Sequence, residues 1–306
     1  MAKILVSGLI NIETTLRIEG FPLHYNPVND PLFGENSSVS GVGYNVAKAL
    51  TVLGNQVKFL SLIGQGMAAT QVRDALAIDN IATKYVLGTA QDTPQSVILY
   101  DRIGNRQIHV DLKNVQELQY PPVLFEEALP DCDLLALCNI NFSRPMLDKA
   151  KAAGKLVATD VHTIASLDND YDRDFMAAAD ILFLSDEHLP CQPEDFARQL
   201  MEHFQPRVLV IGLGVEGALL AVRDDDFIGH FPAVQTRPVV NTIGAGDALF
   251  SAFLHAYMQT RNPIAAIKKA IIFASYKIGG TSAAEGFLSS AELEKLSNQS
   301  DYQINH

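Results

Sequence analysis

Short, mostly apolar segments alternate with helical patterns along most of this chain, and this alternation constrains its fold more than any other feature. Six such segments stand out, at residues 4–7, 57–63, 134–138, 156–160, 181–184 and 208–211. A strand that is apolar along its whole length is typical of a parallel sheet covered by helices on both faces. We therefore predict an α/β fold with a doubly wound, mostly parallel sheet flanked by helices.

Three segments instead alternate polar and apolar residues, at positions 14–19, 96–101 and 106–111. The last two are separated by the turn-forming sequence Arg-Ile-Gly-Asn, which predicts a hairpin. Strands of this kind have one face in water, so we predict a small β-sheet lid formed by residues 13–36 and 88–112. Two ordinary surface hairpins are the alternative. No linker divides the chain, and residues 1–306 are predicted to form a single α/β domain.

Charge and cysteine content restrict the partners of this protein. Asp and Glu number 35 against 23 Lys and Arg, which gives a net charge of −12. A chain of this sign repels phosphate backbones and anionic lipids, so we expect neither a nucleic-acid nor a membrane partner. No apolar stretch reaches the ~18 residues of a membrane helix. The three cysteines, Cys132, Cys138 and Cys191, contain no CxxC pair, which favours a reducing, cytoplasmic location.

The strongest motif is the segment NTIGAGD at residues 241–247, which leads into an amphipathic helical pattern. Its glycines allow backbone N–H groups to converge on an anion, and the helix N-terminus adds about half a positive charge. A carboxylate beside such a cradle would repel phosphate if binding were its only task. Asp247 is therefore interpreted as a general base for an attacking hydroxyl, with Gly244, Ala245 and Gly246 holding the transferred phosphoryl group. The alternative is an ordinary acidic residue in the first turn of a helix.

A second cluster of small residues, SGVGYNVA at positions 40–47, also precedes a helical pattern. Close backbone approach at Gly41 and Gly43, together with the amide of Asn45, suits the hydroxyls of a polyol. Tight packing of the helix on the sheet explains the glycines equally well.

Several weaker motifs are set aside. The segment GLGVEG at residues 212–217 matches GxGxxG, but a strand-turn-strand pattern follows where a dinucleotide fold needs a helix. An acidic stretch at residues 168–179 resembles a calcium loop without its glycine or its final Glu. The sequence contains no GxxxxGK[ST], HExxH or GxSxG motif, which argues against P-loop NTPases, common zinc proteases and α/β-hydrolases.

With these two glycine clusters, the chain resembles the ribokinase-like (PfkB) family of carbohydrate and nucleoside kinases. The resemblance extends over nearly the whole chain and implies a phosphotransferase that moves the γ-phosphoryl group of ATP to an alcohol, with Mg²⁺ as cofactor. It implies that Asp247 is the catalytic base. The implied acceptor-binding residues are Asn11, Glu13, Gly41, Gly43 and Asn45. The implied nucleotide-binding residues are Gly212, Gly214, Gly217, Thr242, Ala274 and Gly279.

The chain departs from the family pattern at several of these positions. Glu13 stands where an Asp is usual, which reshapes the acceptor pocket by one methylene. The usual Asn-x-x-Glu of the magnesium site aligns with Ser185 and His188, which leaves the adjacent Asp186 and Glu187 as the implied metal contacts, through water. Some relatives also use a monovalent cation such as K⁺, and Asn241 in place of an Asp predicts a weaker cation site here.

Two rival functions and some weaker assignments stay open. A non-catalytic sugar- or nucleoside-binding protein on a kinase fold is favoured by the altered segment at 185–188, but it has no need of Asp247. A kinase of vitamin-type hydroxymethyl heterocycles is disfavoured by the predicted lid. Asn139 and Asn141, which follow a strand, are candidates for further acceptor contacts, with loop capping as the alternative. By analogy with the family, the lid is also a candidate surface for a homodimer.

Overall fold

The predicted apolar segments form strands of one large sheet in the computed structural model, which describes residues 1–299. In chain order, the strands of the described part are β1 Lys3–Ser7, β2 Asn11–Arg17, β3 Glu35–Ser40, β4 Gln56–Ile63, β5 Val86–Gly88, β6 Gln95–Tyr100, β7 Arg106–Asp111, β8 Leu134–Leu137, β9 Leu156–Asp160, β10 Ile181–Ser185, β11 Val208–Gly212, β12 Ala218–Val222 and β13 Phe227–Phe231.

The large sheet has nine strands in the order β13-β12-β11-β10-β9-β8-β1-β4-β5. Its strands pair in parallel from β5 to β11, and β12 and β13 complete one edge in antiparallel orientation. All six predicted apolar segments lie in this sheet, so the predicted doubly wound, mostly parallel fold is confirmed.

The helices cover both faces of the large sheet. In the described residues they are α1 Val42–Val52, α2 Met67–Ile78, α3 Pro122–Ala128, α4 Met146–Ala152, α5 Arg173–Ala178, α6 Pro193–His203, α7 Ala245–Thr260, α8 Pro263–Lys277 and α9 Ser290–Ser297. Within residues 1–299, none of these helices combines the length and the apolar character needed to cross a membrane.

The core consists of two apolar layers, one on each face of the sheet. Alternate residues of β1 show this division, because Ile4 and Val6 pack with α1, α7 and α8 while Leu5 packs with the layer containing α3 to α6. Phe183 of β10 meets the rings of Phe250 and Phe253 of α7 edge-on, with centroid distances of 5.0 and 5.2 Å. This packing fixes the N-terminus of α7 above the carboxyl ends of the central strands.

The three alternating segments join β3 in a separate four-stranded sheet with the order β3-β2-β6-β7. The predicted hairpin is present as the antiparallel pair β6–β7, in which Tyr100 faces Arg106. Strand β2 begins at Asn11, earlier than the predicted alternation, and its buried residues Asn11, Glu13 and Thr15 are all polar. Residues 300–306, which the single-domain prediction also includes, lie outside the described residues.

Candidate active site

The loop before α7 has the geometry of an anion cradle. Gly244 adopts φ 75°, and a Cβ there would lie 2.7 Å from the carbonyl oxygen of Ala283, so only glycine fits. The amide of Ala245 donates to the Thr242 carbonyl at 3.2 Å, within the loop. Among the described residues, the amides of Gly244 and Gly246 have no hydrogen-bond acceptor. These two amides, at a helix N-terminus, are therefore available to an anion.

Asp247 lies directly beside this cradle, in the first turn of α7, and is buried. The side-chain amide of Asn45 donates a hydrogen bond of 2.7 Å to its Oδ2. Burial raises the pKa of Asp247, the Asn45 hydrogen bond opposes this rise, and the nearby Asp160 carboxylate adds to it. A buried carboxylate with a raised pKa and one fixed oxygen is suited to accept a proton.

A polar chain connects Asp247 to the small sheet. The Ser40 hydroxyl lies 3.1 Å from Oε2 of Glu13 and 3.3 Å from Oδ1 of Asn45, and it donates to one of them at a time. Burial raises the pKa of Glu13 to about 7, against the lowering effect of the Ser40 hydrogen bond. The side-chain nitrogen of Asn45, Nδ2, donates to Asp247. Glu13 and Asp247 are thus parts of one network.

Two buried side-chain oxygens of β2, Oδ1 of Asn11 and Oε1 of Glu13, receive no hydrogen bond from any of the described residues. Asn11 uses its amide nitrogen to donate to Ser96 of β6 at 3.0 Å. An unsatisfied buried acceptor costs about 1–3 kcal/mol, so two of them on the same buried face of β2 indicate a place for donors from a ligand.

The two glycines of the second cluster fulfil a packing requirement. Gly41 has φ 103°, and a Cβ there would lie 2.7 Å from the carbonyl oxygen of Leu9. A Cβ at Gly43 would collide with the backbone of Gly8. Tight packing therefore requires glycine at both positions, and the side chain of Asn45 connects this motif to Asp247.

The predicted nucleotide-binding residues lie at the end of β11, in the turn after it, in the loop before α7 and at the end of α8. Thr242 and Gly279 are brought together because the amides of Val240 and Asn241 both bond to the carbonyl of Ile278, at 2.9 and 3.2 Å. Gly212 ends β11 and accepts a hydrogen bond from the amide of Asp186 at 3.0 Å.

The remaining predicted nucleotide residues lie in two neighbouring elements. Gly214 and Gly217 form the turn between β11 and β12, with φ values of 56° and 106°. Ala274 is partly buried on α8 and accepts a helical hydrogen bond from Ile278.

The two predicted metal contacts differ in their surroundings. Glu187 pairs with Arg106 of β7 at 3.1 Å. Burial raises the pKa of Asp186, and the neighbouring Glu187 adds to that rise. No group of three or more His, Cys, Asp or Glu side chains that could hold a metal occurs in residues 1–299. This composition still fits Mg²⁺, which takes one or two protein carboxylates and completes its shell with water and phosphate oxygens.

Asn139 and Asn141 bond to neighbouring loops. The Asn139 amide donates to Asp172 at 2.9 Å, and the Asn141 amide donates to the Gln116 carbonyl at 3.0 Å. Both side chains thus have the loop contacts that the capping alternative predicts.

Three charged residues of the site were not identified from the sequence. Asp160 ends β9, and its Oδ2 would lie 3.9 Å from a Cβ at Gly246. Its position at the carboxyl end of a predicted parallel strand was the available signal, because ligands of such sheets bind at that edge. Arg106 reaches from the small sheet to Glu187 and to Thr242 Oγ1, at 3.1 and 3.3 Å. Lys277 is fully buried at the end of α8, and no sequence pattern distinguishes it from an exposed helical lysine.

A doubly wound sheet with a helix-capping glycine loop, a buried carboxylate beside it and a small sheet across it defines the class of carbohydrate kinases with a ribokinase-like fold. The chain belongs to the pfkB family of carbohydrate kinases, whose family model matches residues 1–290. The resemblance noted in the sequence is therefore confirmed.

Similarity to individual proteins supports this assignment. A segment of 72 residues is 39% identical to the deoxyribokinase of Salmonella typhi, and it spans 24% of this chain and 22% of that protein. The ATP-dependent ribose-1-phosphate kinase of Halopiger xanaduensis is 25% identical over 267 residues, which cover 84% of this chain and 86% of that protein. The solved structure of the microbiome-derived acarbose kinase Mak1 superposes with a TM-score of 0.87 at 24% identity, over 97% of this chain and 99% of that chain.

Proposed function

We propose that this protein transfers the γ-phosphoryl group of ATP to a hydroxyl, in particular a hydroxymethyl group, of a sugar or nucleoside. The observation that carries this proposal is the buried carboxylate of Asp247 beside the free amides of Gly244 and Gly246. A site that only binds phosphate has no use for a carboxylate at this point. A site that deprotonates an alcohol while it holds a phosphoryl group needs both.

Asp247 acts as the general base in this proposal. Its raised pKa increases its affinity for the proton of the attacking hydroxyl, and the Asn45 hydrogen bond keeps one carboxylate oxygen in place. The amides of Gly244 and Gly246 stabilise charge on the phosphoryl oxygens. Ala245 contributes through the turn that its amide closes with Thr242, which orients these two amides.

The acceptor binds between β2 and the start of α1. The unsatisfied oxygens of Asn11 and Glu13 accept hydrogen bonds from its hydroxyls, which removes the cost of their burial. The backbone of Gly41 and Gly43 borders the acceptor, as does Asn45. The named activities of the relatives, on deoxyribose, ribose 1-phosphate and acarbose, all concern sugars and favour a sugar-type acceptor.

ATP lies along the edge formed by Gly212, Gly214, Gly217, Thr242, Ala274 and Gly279. Asp186 and Asp160 are the carboxylates best placed to hold the Mg²⁺ that accompanies ATP, since they follow or end neighbouring strands at this edge. When bound, Mg²⁺ neutralises charge on the phosphates. Glu187 is already paired with Arg106, so it contributes through that contact.

The small sheet serves as a lid over the site. Ile98 of β6 packs with Ile243 and Ala283 beside the cradle, and Arg106 of β7 bonds to Thr242 and Glu187. A closed lid excludes water from the phosphoryl group, which favours transfer to the acceptor over hydrolysis. The edge strand β7 carries the half-exposed Ile108 and Val110, which share a face of the sheet with their partners Ile98 and Ser96. We propose this strand of the lid as the contact of a homodimer, which light scattering tests.

The proposal is tested by measuring ADP release across a panel of sugars and nucleosides, first with the wild type and then with Asp247→Asn. We expect at least one acceptor to be phosphorylated, and we expect Asp247→Asn to lower kcat by about 10²–10⁴ while ATP still binds. The control is Asp225→Asn, because Asp225 is exposed in the turn between β12 and β13. Full turnover by Asp247→Asn would refute its role as base. If the wild type releases no ADP with any acceptor but still binds sugars, the non-catalytic binding protein would be favoured.

A further inference from the structure

A fully buried lysine lies beneath the anion cradle. Lys277 is the last residue of α8, and none of its surface is exposed. Its ammonium group donates to the backbone carbonyl of Ile243, the residue that precedes Gly244. Burial of a charge is costly unless the charge is compensated, so a fully buried lysine needs partners of opposite charge or hydrogen-bond acceptors.

Lys277 is compensated by the acidic groups of the site. Burial lowers the pKa of Lys277 to about 8, and the carboxylates of Asp247, Glu13 and Glu285 oppose that change in this order. Arg237 is the cation that adds to the lowering. In return, the positive charge of Lys277 lowers the pKa of both Asp247 and Glu13. Its charge therefore acts on the proposed base and on the acceptor-binding carboxylate together.

Three backbone carbonyls that Lys277 and Asn241 contact are bonded to the side-chain N–H groups of these two residues. The Asn241 side-chain amide donates to the carbonyls of Gly280 and Thr281, at 3.3 and 3.0 Å, and Lys277 occupies that of Ile243. Oδ1 of Asn241 in turn accepts from the amide of Ile243 at 3.1 Å. A K⁺ ion needs several free carbonyl oxygens in place of its water shell. Here two side chains of the protein take those oxygens.

We propose that Lys277 is a built-in cation that positions the anion cradle through Ile243 and makes phosphoryl transfer independent of added monovalent cations. This inference rests on the proposed kinase function and deepens it. The ammonium group fixes the segment from which Gly244 and Gly246 present their amides. It also offsets the negative charge of Asp247 and Glu13, which would otherwise repel the phosphates of ATP.

The first experiment is chemical rescue of the full chain with Lys277→Ala. Wild-type rates are expected to be the same in K⁺, NH₄⁺ and tetramethylammonium salts. The variant is expected to lose about 10²-fold in kcat in tetramethylammonium, the loss typical of a missing charge-stabilising contact. NH₄⁺ or methylammonium is expected to restore a large part of that loss, because either cation fits the vacated space. Strong activation of the wild type by K⁺, or no loss in Lys277→Ala, would overturn the proposal.

A second variant separates charge from packing. Lys277→Met fills the same volume without the charge, so it is expected to fold, to lose activity and to resist rescue by methylammonium. The acid limb of its pH profile is expected at higher pH, because the cation that lowers the pKa of Asp247 and Glu13 is gone. The other charged groups whose electrostatic effects reach Asp247 or Lys277 are Asp160, His162, Glu285 and Arg237.

The control is Lys269→Ala, because Lys269 lies on the same helix and pairs with Glu294 away from the cradle. It is expected to keep the wild-type rate and pH profile. If the wild type is active and Lys277→Met keeps the full kcat and the same pH profile, the proposed role of Lys277 is refuted, while the proposed kinase function is not. If the wild type phosphorylates no acceptor, the proposed function fails first and this inference fails with it.

Discussion

The side-chain amide of Asn45 donates a 2.7 Å hydrogen bond to the carboxylate of Asp247, although the two residues are 202 positions apart in the chain. Asn45 lies in the first turn of α1 and Asp247 in the first turn of α7, and the two helices pack side by side on the same face of the large sheet. The bond therefore joins the two glycine motifs into one site and fixes the orientation of the proposed base.

Removal of this bond is expected to shift the pH dependence of the reaction. The Asn45 amide stabilises the charged form of Asp247, so Asn45→Ala should raise the pKa of that carboxyl. Because the base works only when ionised, the acid limb of kcat should move to higher pH. Rates measured from acid to neutral pH test this shift, with Asn36→Ala on the exposed side of β3 as control. An acid limb that stays in place would contradict the coupling.

Gly246→Ala is expected to impair the anion cradle without destabilising the fold. A Cβ at this position meets only Asp160 Oδ2 at 3.9 Å, so the substitution should leave the free energy of unfolding unchanged or raise it by about 0.5–1 kcal/mol. The methyl group would, however, occupy space next to the free amides. We expect kcat/KM for ATP to fall by about 10²-fold.

Thermal unfolding and steady-state kinetics together test this substitution. Gly20→Ala is the control, since a Cβ there meets nothing within 4 Å. Normal kinetics for a stably folded Gly246→Ala protein would show that phosphate does not bind at these amides.

Glu13→Gln is expected to increase stability above neutral pH. The pKa of Glu13 rises from 4.5 to about 7 on folding, so the folded state binds more protons between these values and loses stability as the pH rises through this range. The variant has no such loss. Its advantage over the wild type should be small near pH 4.5, grow up to about pH 7 and then stay constant, at no more than about 3 kcal/mol.

Unfolding measurements at several pH values test this expectation. In the same variant, KM for the sugar or nucleoside substrate should rise, because a carboxylate oxygen that accepts hydrogen bonds from its hydroxyls is lost. A stability difference that shrinks with rising pH would have the wrong sign for a buried carboxylate at position 13.

Arg106→Ala is expected to loosen the lid. The substitution removes a partly exposed ion pair with Glu187 and a hydrogen bond to Thr242, which together contribute about 0.5–1 kcal/mol to closure. We expect the ratio of acceptor phosphorylation to ATP hydrolysis to fall by about threefold to fivefold, because water enters the site more often.

Simultaneous assays of ADP and phosphorylated product give this ratio. Arg102→Ala, in the exposed turn of the same hairpin, should leave it unchanged. Equal ratios for Arg106→Ala and the wild type would exclude Arg106 from closure of the lid.

Local patterns in the sequence were sufficient to predict the sheet and the hairpin, and they led to the hypothesis that Asp247 is the base. Continuous apolar segments indicated the parallel strands because burial on both faces leaves no room for polar residues. The alternation at 96–101 and 106–111, with the turn residues between them, predicted the hairpin of the small sheet. Strand β6 alternates buried and exposed residues over Gln95–Ile98, whereas every residue of the edge strand β7 is exposed. The segment before Asp247 predicted a cradle because its glycines and the helix N-terminus are adjacent in the chain.

Contacts between distant segments could be decided only by the tertiary structure. The sequence left the role of Gly41 and Gly43 open, and only the structure shows the backbone of Leu9 and Gly8 packed against them. The pairing of Glu187 with Arg106 joins residues 81 positions apart, and no local pattern encodes it. Nothing in the sequence distinguishes Lys277 from an exposed helical lysine. It is buried against Ile243 because α8 packs on α7. The sequence by itself determined the elements and the chemistry of one loop, because these depend on neighbours in the chain. The charges that surround Asp247 depend on how the sheet and helices bring remote residues together.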